Sequence, residues 1–141
     1  MQEYIEFVQA HLLLMLGFVA VLGLIIWSEY SRLTRKYKQV NANQAVQVLN
    51  RDNVTVIDVR GESEVRNGVI KGAKIIPLTD ISKHLSALEK NKNNPFLVYC
   101  GSGNRSGHVC NTLTKNGFNE VYNLTGGIMA WTSENLPLNR K

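Results

Sequence analysis

The segment Cys100-Gly101-Ser102-Gly103-Asn104-Arg105-Ser106 concentrates the reactive side chains of this 141-residue sequence. A cysteine becomes a strong nucleophile only as its thiolate, so its neighbours decide whether it reacts. Residues 96–99 run apolar and β-prone into Cys100, and residues 106–116 read as a helix stopped by Gly117. The loop therefore lies at the carboxyl end of a strand, where an open α/β sheet binds its ligands. Gly101 and Gly103 permit a tight curl in which successive backbone N–H groups point inward as an anion-binding nest. The following helix adds its N-terminal partial positive charge, and Arg105 adds a permanent cation at the rim. All three favour the thiolate and place the Cys100 pKa below its ordinary value of about 8.5. The same cradle would hold a negative charge on a group bonded to that sulfur. A lone cysteine at a strand end is usually inert, but the glycines, the arginine and the helix start together point to a nucleophile.

The elements that must position this loop alternate between strand and helix. Asn41 with Gln44 three residues on forms a capping-box pattern that opens a helix through Ala45, Val48 and Leu49. Residues 54–59 are rich in β-branched side chains and read as a buried strand after the turn at Asp52-Asn53. Residues 74–77 form a second, shorter strand. Asp80 is placed to cap a helix whose Ile81, Leu85 and Leu88 share one face. Residues 121–124 form a further strand, Gly126-Gly127 a turn, and residues 128–131 begin a last short helix. This alternation implies an α/β domain with a mostly parallel sheet covered by helices on both faces. It occupies residues 39–141, enough for an independent core.

Residues 1–38 are of a different kind. From Leu12 to Trp27 every residue is apolar or glycine, and extending back to Phe7 admits only Gln9 and His11. At about 1.5 Å per residue, a helix over 7–27 spans roughly 30 Å, one hydrocarbon core. A soluble core helix would carry a polar face, and this stretch carries none. A cleaved signal peptide would begin with basic residues, where Glu3 and Glu6 stand instead, and would end in a small-x-small site. Trp27 and Tyr30 suit the membrane interface. Arg32, Arg35, Lys36 and Lys38 follow as a basic juxtamembrane cluster on the cytoplasmic side. The expectation is a single-pass anchor in a cell membrane, such as a bacterial inner membrane, with the N-terminus outside and the domain in the cytoplasm.

The basic cluster also accounts for much of the net charge of +5. The remaining basic residues are mixed with acidic ones and lack interleaved aromatics, so no nucleic-acid partner is expected. Two cysteines are too few for a disulfide framework. Cys110, inside the helix after the loop, reads as a small buried core residue, with a resolving thiol as the alternative. His108 and Cys110 are two apart on a helix and face different ways, so no metal site is expected. His84 reads as solvated helix surface.

The residues that surround the loop resemble the rhodanese-like sulfurtransferases. The spacing Cys, four residues, Arg, Ser is similar to that family's active-site loop, and Ile57-Asp58-Val59-Arg60 to its Asp-x-Arg at the end of an early strand. Gly68-Val69-Ile70-Lys71-Gly72-Ala73-Lys74-Ile75-Ile76-Pro77 resembles its Gly-His-Ile-x-Gly-Ala-x-Asn-Ile-Pro segment, with Val69 and Lys74 as departures. Gly117-Phe118-Asn119-Glu120-Val121-Tyr122-Asn123-Leu124, followed by Gly126-Gly127-Ile128-Met129-Ala130-Trp131, is similar to its C-terminal signature. The resemblance implies a rhodanese-like fold and a two-step covalent cycle without a cofactor. In that cycle Cys100 accepts sulfane sulfur as a persulfide and passes it to a thiophilic acceptor. It also implies that Gly101, Ser102, Gly103, Asn104 and Ser106 contact the substrate sulfur and that Arg105 assists with anionic donors. Asp58 and Arg60 would order the loop rather than react, or form an ordinary structural ion pair.

Two other functions compete. Phosphatases and arsenate reductases also place Cys and Arg in a strand-to-helix loop, but theirs is one residue longer, as a tetrahedral oxyanion requires. A membrane-tethered interaction module that uses the fold as a scaffold for a membrane protein partner would explain the anchor. The intact Cys–Arg–Ser loop speaks against it.

Overall fold

The computed structural model describes Met1 and residues 10–140. It divides into two compact units, one through Arg35 and one from Lys36 onward. The first contains helix α1 (Leu12–Leu33), 22 residues with mean hydropathy 2.3 over an 18-residue stretch and no residue buried within the protein. At 1.5 Å per residue it is about 33 Å long, sufficient by length and composition to cross a membrane. The helix continues past Trp27, where the apolar run ends, and carries Arg32 in its last turn beside Glu29 at 3.8 Å. Residues 7–9 of the expected span, with Glu3 and Glu6, lie outside the described residues.

The second unit runs β1 (Lys38–Val40), α2 (Ala42–Leu49), β2 (Thr55–Asp58), α3 (Glu62–Val65), β3 (Lys74–Ile75), α4 (Ile81–Leu88), β4 (Pro95–Tyr99), α5 (Asn104–Lys115), β5 (Glu120–Leu124) and α6 (Gly127–Ser133). The five strands form one sheet in the order β1-β5-β4-β2-β3, and every neighbouring pair is parallel. The α/β architecture with a parallel sheet between helices is thus as expected. Strands β2 and β4 are buried along their whole length, as central parallel strands must be.

Side-chain alternation along β4 decides where the chemistry falls. Phe96, Val98 and Cys100 point to one face, where they meet Ile81, Leu88, Val109 and Leu113 of α4 and α5. Leu97 and Tyr99 point to the other, against Ala45 and Val48 of α2 and Trp131 of α6. Phe96 meets Phe118 edge to face, centroids 5.1 Å apart, a geometry that adds about 1 kcal/mol beyond area burial. Cys100 is therefore held at the end of the most buried strand, on the face covered by α5.

Local signals match in part. Asn41 Oδ1 accepts from Gln44 N–H at 2.9 Å and Gln44 Oε1 accepts from Asn41 N–H at 3.0 Å, closing the capping box on α2. Asp80 does not cap α4; its carboxylate takes the Lys83 ammonium at 2.9 Å instead. The edge strand β1 and the one-turn helix α3 were not foreseen. Both are too short to show a period, and β1 exposes Lys38 and Gln39.

Candidate active site

The Cys100 sulfur sits at the floor of its loop in a residue with no solvent exposure. Gly103 N–H donates to Sγ at 3.1 Å, and the Ser106 hydroxyl lies 3.4 Å away. Burial alone would push the thiol pKa up. Hydrogen bonds from the Ser106 hydroxyl and from the N–H groups of Ser106, Gly103 and Ser102 outweigh it and bring the pKa below its ordinary value. Helix α5 starts at Asn104, two residues earlier than its apolar pattern shows, so its first turn lies within the loop. Gly101 is half-buried, and Ser102 and Asn104 are exposed at the rim.

The loop's curl depends on Gly103 (φ +99°), in the left-handed region. A Cβ there would also lie 3.1 Å from the carbonyl oxygen of Leu124 and 3.2 Å from the Gly126 nitrogen. Gly127 is tighter still, since a Cβ would collide with the backbone of Cys100 and Gly101. The Gly126-Gly127 turn is thus the brace behind the cysteine loop. Ile128 N–H donates to Cys100 C=O at 2.8 Å and Met129 N–H to Gly101 C=O at 3.3 Å.

Ser106 is fully buried and donates to Asn123 Oδ1 at 2.6 Å. The Asn123 amide nitrogen donates to Gly103 C=O at 3.0 Å and to Gln39 Oε1 at 3.1 Å. Because Gly103 C=O can only accept, the Asn123 amide has one orientation, with its oxygen toward Ser106. Asn123 was not singled out from the sequence as a site residue. The available signal was a polar residue at an inward-facing position, two after the buried Val121 in β5.

Asp58 and Arg60 form a buried pair on the opposite sheet face, in register with Tyr99 rather than with Cys100. Arg60 Nε lies 3.0 Å from both carboxylate oxygens and Nη2 lies 2.7 Å from Oδ2. Nη2 also donates to Gly68 C=O at 2.7 Å and Nη1 to Glu64 C=O at 3.3 Å. Burial works against the Arg60 charge, but the Asp58 hydrogen bonds and charge prevail and raise its pKa. The bonds made by the Arg60 guanidinium organise the 61–68 segment rather than the cysteine loop directly.

Arg105 is not the bare cation expected at the rim. Its Nη1 and Nη2 each lie 2.7 Å from a carboxylate oxygen of Glu64, a two-pronged pair with both side chains 40% exposed. Hydrogen bonds from Arg105, then from Gly61 N–H, hold the Glu64 pKa down at about 2. The same pairing raises the Arg105 pKa, with the Cys100 sulfur adding a smaller contribution. Glu64 was missed because it lies 41 residues from Arg105 in a helix of four residues.

Cys110 is fully buried against α5's sheet face, with its thiol 3.7 Å from Tyr122 C=O, and burial pushes its pKa up. Both cysteines are free thiols. His108 is exposed, and among the described residues no group of three or more His, Cys, Asp or Glu side chains converges on a metal-sized site.

The parallel sheet between helices, with a buried cysteine cradled between a strand end and a helix start, is that of a rhodanese-like α/β domain. The chain belongs to the rhodanese-like family, whose domain matches residues 41–134. It is 34% identical over 141 residues to the uncharacterized protein YibN of Escherichia coli, covering 99% of both chains. It is also 34% identical over 87 residues to a sulfurtransferase of Allochromatium vinosum, covering 62% of this chain and 79% of that one. The crystal structure of a rhodanese-related protein from Thermoplasma volcanium superposes with a TM-score of 0.66 at 30% identity, covering 74% of this chain and all of that one. These likenesses support a sulfurtransferase-like role.

Proposed function

We propose that the protein is a rhodanese-type sulfurtransferase that carries sulfane sulfur as a persulfide on Cys100. The observation that carries this reading is the set of donors converging on Sγ: Gly103 N–H at 3.1 Å and the Ser106 hydroxyl at 3.4 Å, with the N–H groups of Ser102 and Ser106 behind them. In the first step the thiolate attacks the outer sulfur of a donor such as thiosulfate. The donor's S–S bond breaks, sulfite leaves with the electron pair, and Cys100–S–S⁻ remains. In the second step a thiophilic acceptor attacks the outer sulfur and the Cys100 thiolate returns. The loop N–H groups stabilise the negative outer sulfur, as an oxyanion hole stabilises oxygen. With four residues between Cys100 and Arg105, the ring suits one sulfur atom better than a tetrahedral oxyanion.

The anchor reading extends this. Helix α1 would hold the domain at a bacterial inner membrane, with the domain on the cytoplasmic side, where Arg32, Arg35, Lys36 and Lys38 favour retention. A membrane-bound donor, acceptor or protein partner would explain such tethering. The test is mass spectrometry of the protein after incubation with thiosulfate or an organic persulfide. One added sulfur on Cys100, absent in Cys100→Ser and released by cyanide as thiocyanate, is the expected result. Sulfur retained in Cys100→Ser and lost in Cys110→Ser would assign the wrong cysteine, and phosphate-ester hydrolysis without any persulfide would favour the phosphatase chemistry.

A further inference from the structure

Arg105 meets its substrate already paired, and the fold enforces the pairing. Asp58 fixes Arg60, Arg60 Nη1 holds the Glu64 carbonyl at 3.3 Å, and Gly61 N–H donates to Glu64 Oε2 at 3.1 Å. The carboxylate so aimed takes both terminal nitrogens of Arg105 at 2.7 Å. The pair lies at the lip of the cysteine loop. A Cβ on Gly101, the residue after the nucleophile, would be 3.3 Å from Arg105 Nη2 and 3.8 Å from Glu64 Oε1. The cation at the lip of the loop is therefore already paired with a carboxylate on the same rim.

We infer that Glu64 is a specificity-determining residue that turns the Cys100 site away from dianionic donors and toward organic persulfides. The inference rests on the sulfurtransferase reading above and names the donor class for it. Thiosulfate approaches with two negative charges and must either displace Glu64 from Arg105 or bind beside an arginine whose charge is already offset. An organic persulfide, R–S–SH, presents its transferable sulfur with at most one charge. The Cys100 thiolate attacks that outer sulfur, the donor S–S bond breaks, R–S⁻ leaves with the electron pair, and Cys100–S–SH remains. One negative charge enters the step and one leaves it, and no oxidant or reductant is required. The loop N–H groups and the start of α5 suffice to hold this charge without a free guanidinium.

The test uses the full-length chain in detergent, with thiosulfate and an alkyl persulfide as donors. Wild-type kcat/KM should be higher for the persulfide, and its thiosulfate rate should change little with added salt. In Glu64→Gln the thiosulfate-to-persulfide ratio of kcat/KM should rise on the order of tenfold, for removal of one charge facing a dianion. The change should come through KM, and the thiosulfate rate should now fall with added salt as Arg105 acts unscreened. The exposed neighbour Glu62 serves as control, and Glu62→Gln should leave the ratio where it is. A ratio that does not move in Glu64→Gln, or constants for both donors that fall together, would make Glu64 merely structural and overturn the inference. If Glu64→Gln fails to fold, the wild-type salt response decides: a thiosulfate rate falling steeply with salt means Arg105 already acts as a free cation. If no protein gains sulfur on Cys100 from either donor, the sulfurtransferase reading itself fails and takes the inference with it.

Discussion

The Ser106 hydroxyl stands between Cys100 Sγ at 3.4 Å and Asn123 Oδ1 at 2.6 Å, with one proton to give. When that proton is on Asn123, a neutral Cys100 thiol can donate to Ser106 Oγ. When the thiol ionises, the hydroxyl can turn and donate to the sulfur. Gly103 C=O also lies 3.1 Å from the Ser106 hydroxyl, and the Asn123 amide, pinned by that same carbonyl, cannot follow the hydroxyl when it turns to the sulfur.

Reaction of Cys100 with iodoacetamide across pH should therefore show a midpoint below that of a free cysteine. Ser106→Ala removes one of the stabilising donors and should move the midpoint up. Asn123→Asp should move it up further, because a carboxylate holds the Ser106 proton permanently and adds a negative charge beside the sulfur. A midpoint unchanged in both variants would show that the backbone N–H groups alone set the thiolate.

The brace behind the loop gives a second prediction. Gly127→Ala places a Cβ into the backbone of Cys100 and Gly101, whereas Gly72→Ala, also at positive φ, meets nothing within 4 Å. Both substitutions carry the cost of a left-handed backbone, about 1 kcal/mol. Only Gly127→Ala must also displace the loop, so it should cost about 2 kcal/mol more and abolish persulfide formation. Denaturant unfolding of the two variants side by side separates the clash from the strain.

The loop, both glycine turns and the Asp58–Arg60 pair were legible in the sequence because their chemistry is local or their residues are contiguous. What linked them was not. Glu64 meets Arg105 across 41 residues and Asn123 meets Ser106 across 17, distances set by strand order rather than by any motif. From sequence, Asp58 and Arg60 read as residues that order the Cys100 loop or as an ordinary ion pair, with no indication of the face that Asp58 and Cys100 occupy. Alternation and register put them on opposite faces of the sheet, so that Asp58 lies beside Tyr99, the residue before Cys100, and reaches the Glu64 carbonyl through Arg60. The edge strand β1 gave no periodic signal, yet its Gln39 anchors the Asn123 amide.

The buried pair on the far face should be the most destabilising to break. Arg60→Met leaves Asp58, with no solvent exposure, without its charge partner. The expected loss is about 3–5 kcal/mol in urea unfolding. Double replacement of Asp58 and Arg60 by apolar residues of similar volume should recover part of this loss. It should not restore the thiosulfate discrimination attributed to Glu64, because the Glu64 carbonyl would lose its Arg60 donor. A double variant no more stable than Arg60→Met would mean that the pair's hydrogen bonds to Gly68 and Glu64, rather than its charges, carry the stability.

Glu64 makes an acid-stability prediction whose sign follows from its pKa. Arg105 and Gly61 N–H depress it to about 2 in the folded domain, against about 4.3 in an unfolded chain. A depressed carboxylate contributes stability that is fully present above the unfolded value and is lost as pH falls toward the folded one. The window is therefore about pH 5 down to about pH 2. Because both partners are 40% exposed, solvent screening reduces the contribution to about 1 kcal/mol. Wild type and Glu64→Gln should differ in unfolding free energy at neutral pH by about that amount, and the two curves should converge as pH approaches 2. Curves that stay parallel throughout this window would show that the Glu64–Arg105 pair adds nothing to stability in solution, leaving control of the charge at the mouth as its whole role.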